Sequence, residues 1–302
     1  MPTEFELTRL QASLHGWQLS FFEELESTND WAIQTYRDQP PLRPCLVVAQ
    51  RQTRGRGRGL KTWQAPPGNL TCSFAFRLAT DAVVSGNSSP LSWPARLAIV
   101  SGLSLSQSLN SFLPDVPSAI KWPNDVLIAD RKVAGILIET PHPTGAGTDP
   151  DARLVVIGIG LNVNSSPAAA TLEKQTAHAL EPTCLAVECR QAIDLTEVLL
   201  TLAGRLEEWL AGTGLLSLPS GARAPAAISD SELLARYQQT LAWRGLQVVL
   251  ERGESQLTGT LLGVDEAGQL LIQAAGASPA AVAAGELRLA RPDRRPVRQS
   301  PN

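Results

Sequence analysis

The sequence lacks the marks of a membrane or secreted protein. No apolar run in its 302 residues reaches the roughly 18 that a membrane helix requires. The N-terminus is polar and acidic, without the apolar core of a signal peptide. The four cysteines and three histidines match no zinc-binding spacing, so we expect no metal site built from side chains alone. These absences predict a cytoplasmic protein.

The chain also lacks an excess of positive charge and has few aromatic residues. The net charge is −3, the pI is about 5.7 and aromatic residues make up 5% of the chain. A general nucleic-acid-binding surface requires excess positive charge with interleaved aromatic rings, so this balance disfavours one. Hydrophobic residues reach 43%, and the length suffices for one large and one small domain.

The positive charge that is present is concentrated in one segment, which we call the Arg/Gly loop (residues 51–63). It carries five cations, three glycines and no acid: Arg51, Arg54, Arg56, Arg58 and Lys61, with Gly55, Gly57 and Gly59. Glycine lets a backbone approach a ligand closely, and guanidinium groups match phosphates and carboxylates. With Trp63 at its end, the loop is typical of a lid over a small anionic ligand that carries a planar group. A solvated basic loop or an Arg-Gly nucleic-acid element is the alternative.

A second motif reads Lys-Trp-Pro-Asn-Asp over Lys121–Asp125. Pro123 disfavours helix, so Lys121 should lie at a strand end, where its ammonium could hold a carboxylate and a phosphate together. Asn124 and Asp125 could bind a nucleotide or a hydrated Mg²⁺. A surface lysine followed by an Asn-Asp turn is the alternative.

Two shorter motifs complete the set. Gly158–Asn162 follows an apolar strand predicted over 154–159, and its glycines could let a flat ligand lie against the backbone. The further glycine of a dinucleotide-binding loop is missing, so that function is excluded, and a plain bulge or turn is the alternative. The Ser-Thr-Asn segment at 27–29 opens a predicted helix, for which it could simply be a cap.

The predicted elements change in character along the chain. Helices and strands alternate up to residue 240, whereas short strands separated by turns follow over 246–290 and suggest a small barrel. We therefore expect a large domain over 1–240 that contains a linker or long loop at 212–230, a small domain over 241–290 and a flexible tail over 291–302.

Taken together and in this order, the motifs resemble those of the biotin protein ligases, or biotin–[acetyl-CoA-carboxylase] ligases. The segments that carry the resemblance are 27–29, 52–63, 121–125, the Arg-Lys-x-x-Gly-Ile-Leu-x-Glu strand at 131–139, and 158–162. The likeness extends over roughly residues 20–290. It departs from the family pattern at Gly59-Leu60-Lys61, where one cation is missing and the glycine is displaced.

The resemblance implies an α+β fold, in which a mixed β-sheet flanked by helices, similar to class II aminoacyl-tRNA synthetases, precedes a C-terminal SH3-like β-barrel. It implies a ligase that uses ATP and Mg²⁺ to activate biotin as biotinoyl-5′-AMP. Biotin would then pass to a lysine of the biotin carboxyl carrier protein of acetyl-CoA carboxylase. Too few residues precede Ser27 for the DNA-binding domain of some members, so we expect a short form with neither a nucleic-acid nor a membrane partner. A homodimer is left open.

The resemblance also implies roles for individual residues. The implied biotin-binding residues are Ser27, Thr28, Asn29, Gln52, Gly55, Arg56, Lys121, Gly158 and Gly160. The implied ATP-binding residues are Arg58, Trp63, Asn124, Asp125, Lys132 and Asn162, with Mg²⁺ near Asp125. Lys121, Arg56 and Arg58 are implied to be catalytic, because they would stabilise two anions as these join.

Two other functions remain open. A lipoate or octanoyl ligase of the same superfamily would act on a related carrier lysine, although the Arg/Gly loop and the Lys-Trp-Pro-Asn-Asp motif favour biotin. A nucleic-acid-binding protein with an Arg-Gly loop belongs to a different class, and the net charge of −3 disfavours it.

Overall fold

The computed structural model describes residues 4–59, 61–79, 89–113, 115–142, 153–168, 180–218 and 223–290. Its helices are α1 Leu7–Ser13, α2 Thr28–Tyr36, α3 Trp93–Asn110, α4 Leu185–Cys189, α5 Leu195–Gly212 and α6 Asp230–Thr240. Its strands are β1 Gln18–Leu25, β2 Cys45–Gln52, β3 Leu70–Arg77, β4 Ser118–Lys121, β5 Asp125–Ile128, β6 Arg131–Glu139, β7 Leu154–Leu161, β8 Gln247–Arg252, β9 Ser255–Val264, β10 Leu270–Gln273, β11 Ala280–Val282 and β12 Glu286–Leu289.

The larger sheet has seven strands in the order β1-β2-β3-β7-β6-β5-β4. β1 and β2 are parallel, and the other neighbouring strands are antiparallel. At its centre, Gly160 of β7 pairs with Gly135 of β6 on one side and with Thr71 of β3 on the other. Two neighbouring strands therefore meet where neither has a side chain, which leaves room for a close approach to the backbone.

Helices cover both faces of this sheet. The main hydrophobic cluster joins α3 and α5 to alternate strand residues such as Phe74 and Ile157. A smaller cluster on the opposite face joins Ala32 of α2 to Val47 and Val156. The division follows from the strand geometry, because successive side chains point to opposite faces. The apolar stripe that the period of α5 predicts is confirmed as buried: Leu195, Val198, Leu199, Leu202, Leu206, Trp209 and Leu210.

A smaller antiparallel sheet follows α6, with strands in the order β11-β10-β9-β8-β12. It is tied to the larger sheet by two hydrogen bonds, from Ala242 N to Ile120 O and from Trp243 Nε1 to Asp130 Oδ1, each 2.8 Å long. The predicted fold class, a mixed sheet flanked by helices and followed by a small C-terminal β unit, is confirmed. Within the ranges described above, no helix is both long and apolar enough to cross a bilayer.

Some elements differ from the sequence prediction. The sequence over 92–113, with Pro94 near its start, predicts one long helix, and the helix ends at Asn110. Elements α1, β1, α4 and β11 were not predicted, because they are short or lack a clear apolar period. In β1, for example, Phe21 and Phe22 are adjacent and break the alternation of a half-buried strand.

Three expected loops and tails lie partly or wholly outside the described residues. They are the small, polar segment 80–89 and the segment 141–151, which contains Gly, Pro and Asp, whose compositions predict a turn and a loop, and the tail at 291–302. In the described parts of the expected linker at 212–230, Leu215 and Leu216 are buried and Ile228 N donates to Gly212 O at 2.8 Å. The proposed domain boundaries stay a prediction.

Gly204 offers a test of the packing of α5. It lies on the exposed side of the helix, and a Cβ there would have no neighbour within 4 Å. Gly204→Ala should raise the free energy of unfolding by about 0.5–1 kcal/mol, because alanine loses less backbone entropy on folding. Urea unfolding followed by circular dichroism measures the change.

Gly212→Ala, at the end of the same helix, is the matched control. Its Cβ would lie 2.9 Å from Ile228 Cδ1, so the same substitution should give no gain. An equal gain from both variants would show that the packing around Gly212 is not as tight as described.

Candidate active site

One cavity of about 410 Å³ brings together the ends of β2, β4 and β7, the start of α2, the Arg/Gly loop and strand β6. The predicted site residues that line it are Ser27, Thr28, Asn29, Gln52, Arg56, Arg58, Trp63, Lys121, Asn124, Asp125, Lys132, Gly158, Gly160 and Asn162. Gly55 lies behind this wall, where its carbonyl accepts a hydrogen bond from Trp63 N at 2.9 Å. Motifs far apart in sequence therefore converge on a single pocket.

One end of the cavity carries uncharged polar groups. The backbone N and the Oγ1 of Thr28 both donate to Gln52 Oε1, at 2.7 and 3.0 Å. The oxygen of this amide is therefore engaged, and its NH₂ group is the part left to donate to a ligand. Ser27 caps α2 by accepting from Asp30 N at 3.3 Å, which confirms the predicted cap and leaves the Ser27 hydroxyl proton available.

Asn29 is oriented by the protein itself. Its Nδ2 donates to Glu139 Oε2 at 2.7 Å and to Leu137 O at 3.3 Å, and its Oδ1 accepts from Ser73 Oγ at 2.5 Å. A Cβ on Gly158 would overlap Asn29 Oδ1, so glycine is needed where this side chain crosses the sheet. Asn29 thus joins α2 to the centre of the sheet.

The floor of the cavity is made of glycines. The indole of Trp63 lies so close to Gly160 that a Cβ there would overlap the ring, and a Cβ on Gly135 would lie 3.2 Å from Trp63 Cζ3. Lys132 Nζ lies 5.6 Å from the centroid of the same ring, within the range of a cation–π contact. The Trp63 Nε1 proton is buried and has no hydrogen-bond partner. The flat group that this bare backbone accepts is therefore the Trp63 indole itself, which forms the surface of the floor.

The other end of the cavity is cationic. Asp125 lies between two ammonium groups, with Oδ2 at 3.2 Å from Lys121 Nζ and Oδ1 at 2.6 Å from Lys132 Nζ. Burial alone would raise the pKa of the Asp125 carboxyl, but the charges of Lys132 and Lys121 outweigh it and lower the pKa to about 2. Lys121 is 7% exposed and lies 6.0 Å from the ring centroid of Trp243. Its ammonium is thus held between a carboxylate and an aromatic face.

Within the described residues, Arg58 is the cation of the Arg/Gly loop with no carboxylate partner; it donates to Asn124 Oδ1 at 3.4 Å. The ion pairs of the other four are Arg51–Glu24 at 3.1 Å, Arg54–Glu26 at 3.2 Å, Arg56 with Glu139 at 2.6 Å and Asp30 at 2.7 Å, and Lys61–Glu286 at 2.7 Å. Arg58, Lys121 and Lys132 together give this end net positive charge.

The displaced glycine of the Arg/Gly loop has a structural reason. Gly57 N donates to Lys61 O at 2.7 Å, so the loop folds back on itself as a short hairpin. Gly59, near its tip, has φ 64°, a left-handed conformation that glycine adopts without strain.

Two predicted nucleotide-binding residues have their amides turned toward the protein. Asn124 Nδ2 donates to Ile136 O at 3.1 Å, although its Oδ1 faces Arg58. Asn162 is 2% exposed, and its Nδ2 donates to Thr183 O at 3.0 Å. Asn162 therefore shapes the wall of the cavity more than it offers polar atoms to it.

The surroundings of Asp125 do not fit a Mg²⁺ site made by the protein. Both carboxylate oxygens face ammonium groups, which would repel a cation. Among the residues that the structure describes, no three His, Cys, Asp or Glu side chains are grouped closely enough to hold a metal ion.

Several residues of the site belong to no role predicted from the sequence. They are Ser73, Gly135, Glu139, Trp243 and Glu286. Gly135 and Glu139 belong to the 131–139 motif, and a polar serine inside the apolar strand β3 was a detectable signal. Trp243 and Glu286 come from the smaller sheet or its entry, so no local pattern indicated them.

Comparison with known proteins identifies the family of the chain. Residues 21–162 match the model of the Biotin/lipoate A/B protein ligase family. The chain is 31% identical over 227 residues to a biotin–[acetyl-CoA-carboxylase] ligase from Paracoccus denitrificans, which covers 75% of this chain and 83% of that protein. It is 26% identical over 275 residues to the bifunctional ligase/repressor BirA of Escherichia coli, covering 89% of this chain and 73% of that protein.

The solved structure of biotin protein ligase from Aquifex aeolicus in complex with biotin and ATP has a TM-score of 0.69 and 26% identity, over 90% of this chain and 99% of that one. Fold and site thus define a ligase. The chain belongs to the biotin protein ligase family, and the resemblance inferred from the ordered motifs is confirmed.

Asp125→Asn tests the ion triad at the cationic end. The ordinary pKa is 3.8 and the folded-state value is about 2. The carboxylate therefore stabilises the folded state fully above 3.8, by about 2 kcal/mol, and this contribution is lost as the pH falls toward about 2. Urea unfolding of wild type and variant should give a constant difference between about pH 7 and pH 5. A difference that shrinks within that interval would contradict the low pKa.

Proposed function

We propose that the protein is an ATP-dependent biotin protein ligase, which forms biotinoyl-5′-AMP and transfers biotin to a lysine of an acceptor protein. The observation that carries the proposal is the polarity of the cavity. Its lining combines uncharged polar groups beside a charge-compensated Arg56 at one end, a floor of Trp63 on glycines, and Arg58, Lys121 and Lys132 at the other end. Biotin has the same order of groups, namely an uncharged ureido ring, an apolar thioether ring fused to it with an apolar chain, and a carboxylate.

In the proposed pose the ureido group faces Ser27, Thr28 and Gln52. The free NH₂ of Gln52 is suited to donate to the ureido oxygen. Gly158 and Gly160 make room for the side chains of Asn29 and Trp63, which would flank the thioether ring and chain, and the carboxylate would reach Lys121. Gly55 contributes by closing the loop behind Gln52.

In the first step, a carboxylate oxygen of biotin attacks the α-phosphorus of ATP. The bond from that phosphorus to the oxygen bridging the β-phosphate breaks, and pyrophosphate leaves with the electron pair. Because two anions must approach each other, fixed positive charge should lower the barrier more than other contacts. We propose Lys121 and Arg58 for this role, with Lys132 beside them. Mg²⁺ is proposed only as part of the ATP complex.

For the nucleotide, we propose that Trp63 offers its ring to adenine, because a flat π-face stacks on a base without sequence-specific contacts. Lys132 Nζ lies 5.6 Å from the centroid of this ring, and Asn124 lines the same cavity. Asp125 would act by holding the two lysines, and Asn162 by shaping the wall.

In the second step, a neutral lysine amine attacks the carbonyl carbon of the mixed anhydride. An amide forms, the bond to the phosphate oxygen breaks, AMP leaves with that oxygen, and the amine loses a proton. The name of the Paracoccus denitrificans relative supports the biotin carboxyl carrier protein of acetyl-CoA carboxylase as acceptor. The use of ATP favours a cytoplasmic location.

Pyrophosphate release that requires both biotin and ATP is the test of the first step. Lys121→Ala and Arg58→Ala should each lower the rate by about 10²–10³, the usual loss of one contact to developing charge. Arg54→Ala is the matched control, because Arg54 lies in the same loop but pairs with Glu26 at the surface. Its rate should stay within about threefold of wild type. No release by wild type, or the same loss in all three variants, would refute the proposal.

The family name also covers lipoate ligases, so an assay with lipoate in place of biotin tests whether this protein is a biotin ligase or a lipoate ligase. The wild-type protein should release pyrophosphate with biotin and not with lipoate, since lipoate has no ureido group for Gln52 and Thr28. Faster release with lipoate would make the protein a lipoate ligase.

Biotin with ATP should also slow hydrogen exchange in residues 53–59. The bound anions would order the glycine-rich loop and exclude water from the mixed anhydride, which hydrolyses readily. Mass spectrometry measures this exchange, with the buried helix α5 as the internal reference. Equal exchange in this loop with and without the ligands would rule out ordering by the substrates.

A further inference from the structure

Glu139, the last residue of β6, bonds to both segments that frame the polar end of the cavity. Its Oε1 accepts from Arg56 Nη1 at 3.0 Å, and its Oε2 accepts from Arg56 Nη2 at 2.6 Å and from Asn29 Nδ2 at 2.7 Å. A bidentate pair between a guanidinium and a carboxylate is directional as well as strong. The Glu139 side chain is only 25% exposed, which strengthens the pair. One carboxylate therefore joins the Arg/Gly loop to the first turn of α2.

The charge of Arg56 is compensated within the protein. Besides Glu139, Asp30 Oδ1 lies 2.7 Å from Arg56 Nη2. Burial would lower the pKa of Arg56, but these two carboxylates outweigh it and raise the pKa. Arg56 thus differs from Arg58, which faces no carboxylate in the described part of the chain. A guanidinium between two acids is suited to holding a loop in place and poorly suited to neutralising an incoming anion.

The hydrogen bond between Glu139 and Asn29 links Glu139 to the groups that would face the ureido ring. Asn29 is fixed between Glu139, Ser73 and the backbone at Gly158. The residue before it, Thr28, directs its N–H and hydroxyl at Gln52 Oε1. A displacement of Asn29 would therefore change the orientation of the Gln52 amide.

The pair between Glu139 and Arg56 also affects the Gln52 amide, through the backbone of the Arg/Gly loop. Gly55 precedes Arg56, and a Cβ on Gly55 would lie 3.1 Å from Gln52 Nε2. The backbone of the loop thus lies against the NH₂ group that is proposed to donate to biotin. Both routes from Glu139 end at Gln52.

We propose that Glu139 is a positioning residue, which holds the Arg/Gly loop against α2 and so orients Gln52 and Thr28 for the ureido head of biotin. The inference rests on the proposed function and assigns Glu139 no contact with the reacting atoms. Arg56 acts with Glu139 in this role and not as a clamp on phosphate.

Glu139→Gln keeps the size of the side chain but removes its charge. The KM for biotin should rise about tenfold, the effect of a coupling of about 1.4 kcal/mol, while kcat and the KM for ATP change little. Glu26→Gln is the matched control, because Glu26 pairs with Arg54 of the same loop at the surface and should leave all three values unchanged. A fall in kcat with an unchanged KM for biotin would overturn the proposal.

A double-mutant cycle tests whether Glu139 acts through Arg56. Glu139→Gln combined with Arg56→Gln should raise the KM for biotin by less than the product of the two single increases. A full product would mean that the residues act independently, contrary to the proposal. Glu139→Asp, which restores the charge, should recover part of the affinity; no recovery would count against the role of the charge.

Hydrogen exchange of the protein alone separates failure of this inference from failure of the proposed function. Glu139→Gln should speed exchange in residues 27–30 and 53–59, and Glu26→Gln should leave 27–30 unchanged. If wild type forms no adenylate from biotin but the exchange pattern holds, the proposed function fails and the positioning role stands. Unchanged exchange in both segments would overturn the positioning role whatever the substrate.

Discussion

The carboxylates set between positive side chains are the constraint on which the candidate site depends. Cations gathered around one cavity repel each other, and a buried charge without a partner costs several kcal/mol. Asp125 satisfies Lys121 and Lys132 at once, and Glu139 with Asp30 satisfies Arg56. The compensation is uneven. At one end two lysines share one carboxylate and Arg58 has no carboxylate partner in the described part of the chain, so that end keeps net positive charge, whereas the charge of Arg56 is matched. This difference supports the proposal that one end binds anions and the other end positions the loop.

Bare backbone is the second requirement, and the register of the sheet supplies it. The pairing of β6 with β7 places Gly135 beside Gly160, so the Trp63 ring can lie against two strands at once. A slip of one residue would put the side chain of Ile136 or Ile159 on the floor instead, because side chains alternate between faces. The same pleat that buries isoleucine in the core therefore leaves room for the Trp63 ring on the cavity side.

Much of this site could be predicted from the sequence, because each motif is local and lies at a strand end or a helix start. The Lys-Trp-Pro-Asn-Asp turn and the Arg/Gly loop required no knowledge of the strand order. What could not be predicted depends on that order. The Asn29 amide hydrogen-bonds to Glu139, Leu137 and Ser73. These three residues lie within its reach only because β3, β7 and β6 are neighbours in the sheet. The parallel pairing of β1 and the short helix α4 were missed for the same reason: their stability comes from tertiary contacts.

The smaller sheet and the segment that leads into it contribute residues to the candidate site, although they follow the larger sheet in sequence. Glu286 of β12 binds Lys61 of the Arg/Gly loop at 2.7 Å, and Trp243, just before β8, lies over Lys121. The ring of Trp243 is held in turn by Asp130 at the tip of the β5–β6 hairpin. A shift of the smaller sheet would therefore disturb the loop and the buried lysine together. The cationic end of the cavity is thus a joint product of both sheets, and the larger one alone would leave Lys121 with Asp125 as its sole described partner.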